Sequence, residues 1–261
     1  MSMPRGVESL NGAENLYENA PLVEVVCEFR FLPGESWDVT FFGLLYEKVK
    51  STYEIREKVT QIQSESSPGL PGTVSMQFVA QETLRISRPD RTSFIDVSPN
   101  MLSVHHVPPY PGWAGFLHLV KFALGAYRDI AKPQGLARVR LHCINNIRIP
   151  GPSAELSDYF EFYPFVGPRL PKDYFNVICG MNATFEKGRD LFRITLRTLP
   201  NNDDFRLPFL LDLDYLAQEP SSIELVDLPG WLELAHTRMR DGFEGAITDR
   251  LRNTFNSGNE A

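Results

Sequence analysis

The sequence predicts an α+β fold made of two copies of one unit. Each copy is a strand, a helix, three to four antiparallel strands and a long helix, and the copies join into one curved sheet with the helices on its convex face. Three observations predict it. Tyr110-Pro111-Gly112-Trp113 returns as Leu228-Pro229-Gly230-Trp231, 118 positions later. At that offset His236 falls on His118, Asp214 on Asp96, Arg206 on Arg88, Phe160 on Phe42 and Arg148 on Arg30. Runs of alternating polarity lie between stripes of helical period, the signatures of half-buried strands and amphipathic helices. With no net insertion between the copies, the expected organisation is a flexible arm over 1–19, repeats over 20–137 and 138–255, and a tail over 256–261.

The first copy opens after Asn19-Ala20-Pro21. Over 22–31, Val23, Val25, Cys27, Phe29 and Phe31 point one way, and Glu24, Val26, Glu28 and Arg30 the other. Pro33-Gly34 ends that strand. Phe41, Leu44, Leu45 and Val49 then recur at helical spacing, so a helix is expected over 37–53. Residues 59–64 alternate weakly, and the Pro- and Gly-rich stretch 66–72 reads as a loop or hairpin tip. Strand patterns follow at 74–80, 83–88, 93–98 and 101–107, with Pro99-Asn100 as a tight turn. Pro108-Pro109 stops the sheet, and Pro111 suits the first position of a helix. Trp113, Phe116, Leu117, Val120, Leu124 and Tyr127 make an apolar stripe that ends at Lys132-Pro133-Gln134-Gly135.

The second copy opens with a strand over 138–149, with Leu141, Cys143, Ile147 and Ile149 inward and Arg140, Ile144, Asn146 and Arg148 outward. Asn145 interrupts the inward side. A short helix is expected over 153–163, cut by Pro164. Strands are expected at 175–185, 191–199 and 208–217, with a hairpin turn at 186–190 and a short fourth strand at 221–225. A long last helix over 229–255 carries Ala235, Met239, Phe243, Ile247 and Leu251 four residues apart. One unit alone exposes a sheet edge and a bare helix flank. Pairing two units removes that liability and predicts a saddle-like sheet of eight to ten strands.

Composition narrows the function classes. The chain carries a formal net charge of −7, which argues against general electrostatic capture of nucleic acid. It holds no run of 18 apolar residues, so no membrane helix is expected, and the polar start carries no apolar leader segment. Cys27, Cys143 and Cys179 lie in apolar strand-like runs with no C-x-x-C spacing. They read as reduced, buried thiols of a cytoplasmic protein rather than a disulfide or metal framework. No Gly-rich phosphate loop and no Gly-x-Ser-x-Gly occur, so no cofactor and no metal are expected.

The topology resembles the doubled repeat of the TATA-binding-protein family and the duplicated helix-grip folds. Two signatures resemble a sporadically distributed, largely uncharacterised prokaryotic family. One is Asn19-Ala20-Pro21-Leu22-Val23-Glu24-Val25 with Glu28-Phe29-Arg30-Phe31. The other is His236, Phe243-Glu244 and Ile247-Thr248-Asp249-Arg250-Leu251-Arg252. The patchy distribution of that family implies transferable loci such as phage defence or toxin–antitoxin modules. It supplies no catalytic residues.

Candidate residues come from the repeat. His118 and His236 match, each five positions after a tryptophan; they are either helix histidines hydrogen-bonded at the sheet or a symmetric acid–base or metal pair. His105 and His106 adjoin on a strand and point to opposite faces, so they do not share an ion; His142 stands alone. Arg30 and Arg148 match on the outward face. They are either surface ion pairs, Glu28 beside Arg30, or twin groups for a phosphate or carboxylate. Asp96 and Asp214 match as well; they are either a symmetric acid–base pair or residues that cap a turn or pair with arginine, Arg88 and Arg206 being the matched candidates.

The leading reading is a non-enzymatic binding or regulatory protein that engages a partner protein or a small ligand on the sheet. The acid excess suits a basic partner. The alternative is a nucleic-acid-binding saddle, which needs Arg30, Arg85, Arg88, Arg148, Arg193 and Arg197 to converge. A second alternative is a hydrolase or nuclease built on His118 and His236.

Overall fold

A computed structural model describes residues 17–32, 34, 38, 40–68, 74–151, 154–170, 176–200 and 206–256, with the backbone alone for 61–68 and 74–82. Trp37 lies outside the described residues, as do the tip at 69–73 and the tail at 257–261. The strands are β1 (Leu22–Phe31), β2 (Ile55–Pro68), β3 (Val74–Ser87), β4 (Ser93–Ser98), β5 (Met101–His106), β6 (Leu136–Pro150), β7 (Ile178–Phe185), β8 (Asp190–Thr198) and β9 (Arg206–Ala217). They form one antiparallel sheet of nine strands in the order β2-β3-β4-β5-β1-β6-β9-β8-β7.

β1 sits at the middle of that order because both its flanks are taken, Phe29 facing Leu102 of β5 and Val139 of β6. Its alternation predicts its faces correctly from Glu24 onward, whereas Val23, expected on the buried side, falls in a register shift and is half-buried. Val25, Cys27, Phe29 and Phe31 are buried in the core, while Glu24, Val26, Glu28 and Arg30 stay half-buried on the other side. Four helices are described: α1 (Thr40–Val49), α2 (Gly112–Ala131), α3 (Leu228–Ala246) and α4 (Asp249–Asn256). The first three supply Phe41, Leu45 and Val49, then Trp113, Phe116, Val120 and Tyr127, then Trp231, Leu232, Ala235 and Met239 to the same core. Tyr127 stacks on Phe31 at 4.6 Å and meets Phe41 at 5.8 Å, which seats α1 and α2 over β1. Tyr215 of β9 meets Trp231 at 5.6 Å and seats α3 over the other half. All three therefore pack on the Val25–Phe31 side.

Two glycines are set by geometry. Gly112 starts α2 at φ 76, a backbone region that side chains disfavour. Gly242 of α3 lies so close to Phe192 that a Cβ there would sit 2.4 Å from the ring.

Several expectations are corrected. The helix expected over 153–163 is a single 3-10 turn, Leu156–Asp158. Phe160 instead bridges to Ile247, the amide of Glu161 donates to Ala246 O at 2.9 Å, and that of Thr248 to Tyr159 O at 3.0 Å. Long-range partners thus take the backbone groups a helix needs. The same bridge splits the long last helix, since Ile247 is extended at φ −119, ψ 150. Thr248 restarts the chain as α4: its hydroxyl donates to Asp158 O at 2.7 Å and accepts from the amide of Leu251 at 3.3 Å. Thr248→Ala is expected to cost about 1–2 kcal/mol, the range for a lost N-cap, readable as a lower urea midpoint.

Residues 221–225 form no strand; Ser221 takes φ 58 and its amide donates to Ala137 O at 3.0 Å. One half therefore contributes β1–β5 and the other β6–β9. A single offset does not carry through the pairing either. Met101 faces Arg30, yet the residue facing Arg148 is Pro208, so β9 stands beside β6 at a spacing of 107 rather than 118. Asp96 consequently lies two strands from β1, and Asp214 on the strand next to β6. The end of the N-terminal arm is docked: Tyr17 packs on Phe243 and Phe255, and its hydroxyl donates to Glu244 at 2.6 Å.

The three cysteines are free thiols, and burial pushes Cys27 up and Cys143 up to about 12. Asn145 is satisfied inward, its amide donating to Leu211 O at 3.1 Å. No described helix is long and apolar enough to cross a membrane.

Candidate functional site: the face of the sheet opposite the helices

The opposite face is assembled by register. Across β5, β1 and β6 one row reads His105, Val26, His142, and the next reads Ser103, Glu28, Arg140. Outward from these, Phe94 and Asp96 extend the rows on β4, and Asp214 and Leu216 on β9. Strand alternation gives every one of these side chains the same face.

Most of them are paired. Arg85 of β3 grips the fully buried Asp96 with two bonds at 2.8 and 2.7 Å and lies over the Phe94 ring at 4.0 Å. Phe94 stacks in turn on His105 at 4.4 Å. His105 Nδ1 is 2.8 Å from Glu24 Oε1, and its Nε2 is 2.9 Å from Ser103 Oγ. The His105 hydrogen bond, opposed by burial, lowers the pKa of Glu24 and keeps it a carboxylate. With Nδ1–H donated to Glu24, Nε2 accepts from the serine hydroxyl.

Glu24, His105 and Ser103 line up like an acid–base–hydroxyl relay, but the chemistry stops there. Ser103 is only 3% exposed and sits on a strand paired on both flanks, so its amide is committed to the ladder and provides no oxyanion donor. The line holds His105 in one orientation. His142, which stands alone in sequence, is paired with Asp212 at 2.8 Å. Arg140 donates to Asp214 at 2.6 Å, and Arg193 of β8 lies 3.8 Å from the same carboxylate. Among the described residues no three histidines, cysteines or carboxylates come together to hold a metal.

One juxtaposition opposes like charges. Arg30 of β1 stands directly across from Arg138 of β6. Arg30 donates to Glu28 at 2.9 Å, and Arg138 is exposed. Among the described residues, arginines outnumber carboxylates on this face. Arg30, Arg138, Arg140 and Arg148 are on β1 and β6, Arg85 on β3, Arg193 and Arg197 on β8, and Arg206 on β9. Facing them are Glu24, Glu28, Glu57, Asp96, Asp212 and Asp214.

The residues singled out by the repeat end up in separate places. Arg30 and Arg148 are ten residues apart along the shared register, about 33 Å at strand rise, and do not act as twins. Arg206 is a diagonal neighbour of Arg148 at the far end of β6 and β9. Neither Arg88 nor Arg206 holds the aspartate assigned to it, since Asp96 goes to Arg85 and Asp214 to Arg140. His236 lies flat on Trp113, ring centroids 4.2 Å apart at 1°. His118 is five residues beyond Trp113, about 140° round the helix, and turns elsewhere. It joins Arg88 in an open cleft of about 520 Å³, with Ser51, Thr52, Glu54 and Phe122. The His118–His236 pair is thus replaced by a His118–Arg88 neighbourhood.

Sequence reasoning placed Glu24 beside Glu28 and Arg30 but missed Ser103, Arg138, His142 and Asp212 as members of the same face. Parity alone gives each its side; which residues share a row depends on long-range register, which no local pattern carries.

No family model matches the chain and no curated relative matches it. Among solved structures it is similar to the di-domain ARO/CYC StfQ from the steffimycin biosynthetic pathway. The identity is 9% and the TM-score 0.21, over 89% of this chain and 97% of that one. A score of that size fixes neither fold nor function.

Proposed function

We propose that this chain is a non-enzymatic binding protein that takes an anionic ligand or partner on the sheet face opposite the helices. The observation that carries the reading is Arg30 directly opposite Arg138, with Arg140 two residues along β6. Like charges directly opposed in a sheet are destabilising, and a phosphate or carboxylate between them turns that cost into charge-assisted hydrogen bonds. The paired His105–Glu24 and His142–Asp212 units form a rigid floor beside it.

Arg138→Ala tests this. A fluorescein-labelled single-stranded oligonucleotide and a glutamate-rich peptide serve as probes in fluorescence anisotropy at low salt. The variant should bind the preferred probe at least about tenfold more weakly, since a hydrogen bond to a charged group contributes about 1.5–3 kcal/mol. Its Tm should stay level or rise slightly, because a repulsion is relieved. Wild-type protein that binds neither probe ends the reading.

A second reading, the nucleic-acid-binding saddle, is favoured by the arginine excess among the described residues of this one face, in a chain whose net charge is −7. In that reading the halves are two fused copies, the second lengthened between β9 and α3, and the sheet curves with its bare face concave. Steep loss of oligonucleotide affinity with salt, without a matching loss for the peptide, selects it. A place in a defence or toxin–antitoxin locus rests on the family resemblance alone, and co-purification from the native host examines it.

A further inference from the structure

The helix side of the sheet carries a polar cleft of its own, apart from the bare face. It measures about 520 Å³ and lies between the end of α1, the β3–β4 turn and the first half of α2. Its floor is apolar. Leu119 is buried, and the half-buried Phe122 stacks on the buried Tyr53 at 6.4 Å. Its rim is polar and carries both signs of charge. The amide of Glu54 donates to Ser87 O at 3.0 Å, so Glu54 and Arg88 stand side by side where β2 meets β3. They do not neutralise each other. The Arg88 guanidinium leans to the exposed Asp90 at 3.5 Å, and the Glu54 carboxylate makes no ion pair among the described residues. The side-chain hydroxyls of Ser51 and Thr52, on the same rim, make no hydrogen bond among the described residues either. The bare face differs, since most of its polar side chains are spent on one another.

We infer that this cleft binds a free α-amino acid with an apolar side chain, its carboxylate on Arg88, its ammonium on Glu54 and its side chain over Phe122 and Leu119. An α-amino acid carries both charges on one carbon. A site for it therefore needs a cation and a carboxylate that are neighbours and not spent on each other, as Arg88 and Glu54 are. Arg88 offers a carboxylate a planar fork of donors. Ser51 and Glu54 follow directly on the C-terminus of α1, the end of a helix that favours a positive group. A purely anionic ligand would be repelled by Glu54, and a purely cationic one by Arg88. A few convergent polar groups over an apolar floor are the usual make-up of a small-molecule site. The inference goes beyond the anionic reading of the bare face, because this cleft lies on the other side of the sheet.

Saturation-transfer NMR on the full chain tests the inference, with free leucine and free phenylalanine as probes. Both should receive saturation, most strongly on the leucine methyls and the phenyl ring, the parts that lie over Phe122 and Leu119. Isocaproate lacks the ammonium of leucine, and isoamylamine lacks its carboxylate. Each should bind at least about tenfold more weakly than leucine, because each leaves one charge of the cleft unmatched. Arg88→Gln and Glu54→Gln should weaken leucine binding to a similar extent with unchanged circular dichroism and Tm; the analogue series reads the same two contacts on wild-type protein. Arg138→Ala should bind leucine as wild type does, so failure of the bare-face reading and failure of this one are distinguishable. A wild type that saturates neither amino acid, an analogue that binds as tightly as leucine, or a glutamine variant that keeps wild-type affinity overturns the inference.

Discussion

Asp190→Ala is expected to cost the fold about 3–5 kcal/mol, the range for removing one member of a buried ionic cluster. Asp190 begins β8 and is fully buried. Its Oδ2 accepts from the Tyr215 hydroxyl at 2.9 Å, and its Oδ1 from Trp231 Nε1 at 3.1 Å. Arg189 adds two bonds from the surface side, at 3.0 and 2.6 Å. Alanine leaves the tyrosine hydroxyl and the indole N–H without an acceptor inside the core, and an unmade buried hydrogen bond costs about 1–3 kcal/mol each. Arg189 is half-exposed and recovers its bonds from water. The loss should be local as well as global, because Trp231 is what fixes the start of α3 to β9. Urea unfolding measures the total, and hydrogen exchange should show the first turn of α3 opening before the rest of the sheet. Asp190→Asn keeps one acceptor oxygen and should fall between wild type and alanine. A variant within about 1 kcal/mol of wild type would falsify the claim that this carboxylate anchors the helix.

The anchoring pattern explains which parts of the fold were legible in the sequence. β1 was, because Val25, Cys27, Phe29 and Phe31 bury one face of an alternating run and the alternation is local. The stripe of α2 was, for the same reason at helical period. The turn at 186–190 was also legible; there Glu186, Lys187 and Gly188 all take positive φ between β7 and β8. What failed was decided elsewhere in the chain. Helical spacing over 153–163 and across Ile247 lost to the Phe160–Ile247 bridge, two segments nearly ninety residues apart that satisfy each other's backbone. The short stretch at 221–225 reads as a strand, yet its backbone turns at Ser221, whose amide joins Ala137. The repeat at 118 found tryptophans that both start helices. It misplaced the charged pairs, because β9 stands beside β6 in a register that the 118 offset does not follow. Arg30 was recognisable as an outward cation, whereas its opposite number, Arg138, follows only from register.

Stability should fall by about 1–2 kcal/mol between pH 7 and pH 5, and His236 should account for much of the fall. Its ring lies flat on Trp113, whose Nε1 donates to Glu233 at 2.8 Å. Burial, reinforced by the charge of Arg240 and opposed by Glu233, lowers its pKa from the ordinary 6.5 to about 4. The unfolded chain therefore binds a proton below pH 6.5 that the folded chain refuses until about pH 4. In that window acid favours the unfolded state, so the contribution is intact above pH 6.5 and is lost progressively on acidification. His106 acts in the same direction, its pKa lowered chiefly by burial. Carboxylates such as Glu24, whose folded pKa is lowered, act at lower pH, because their stabilisation is present above the unfolded value of 4.5. A measurement stopped at pH 5 isolates the histidines. His236→Gln should flatten the dependence while keeping a polar, non-titrating side chain over Trp113, and His106→Gln should take up the remainder. If His236→Gln keeps the wild-type slope, the imidazole takes up its proton as readily in the folded chain as in the unfolded one, and the account of its burial on Trp113 fails.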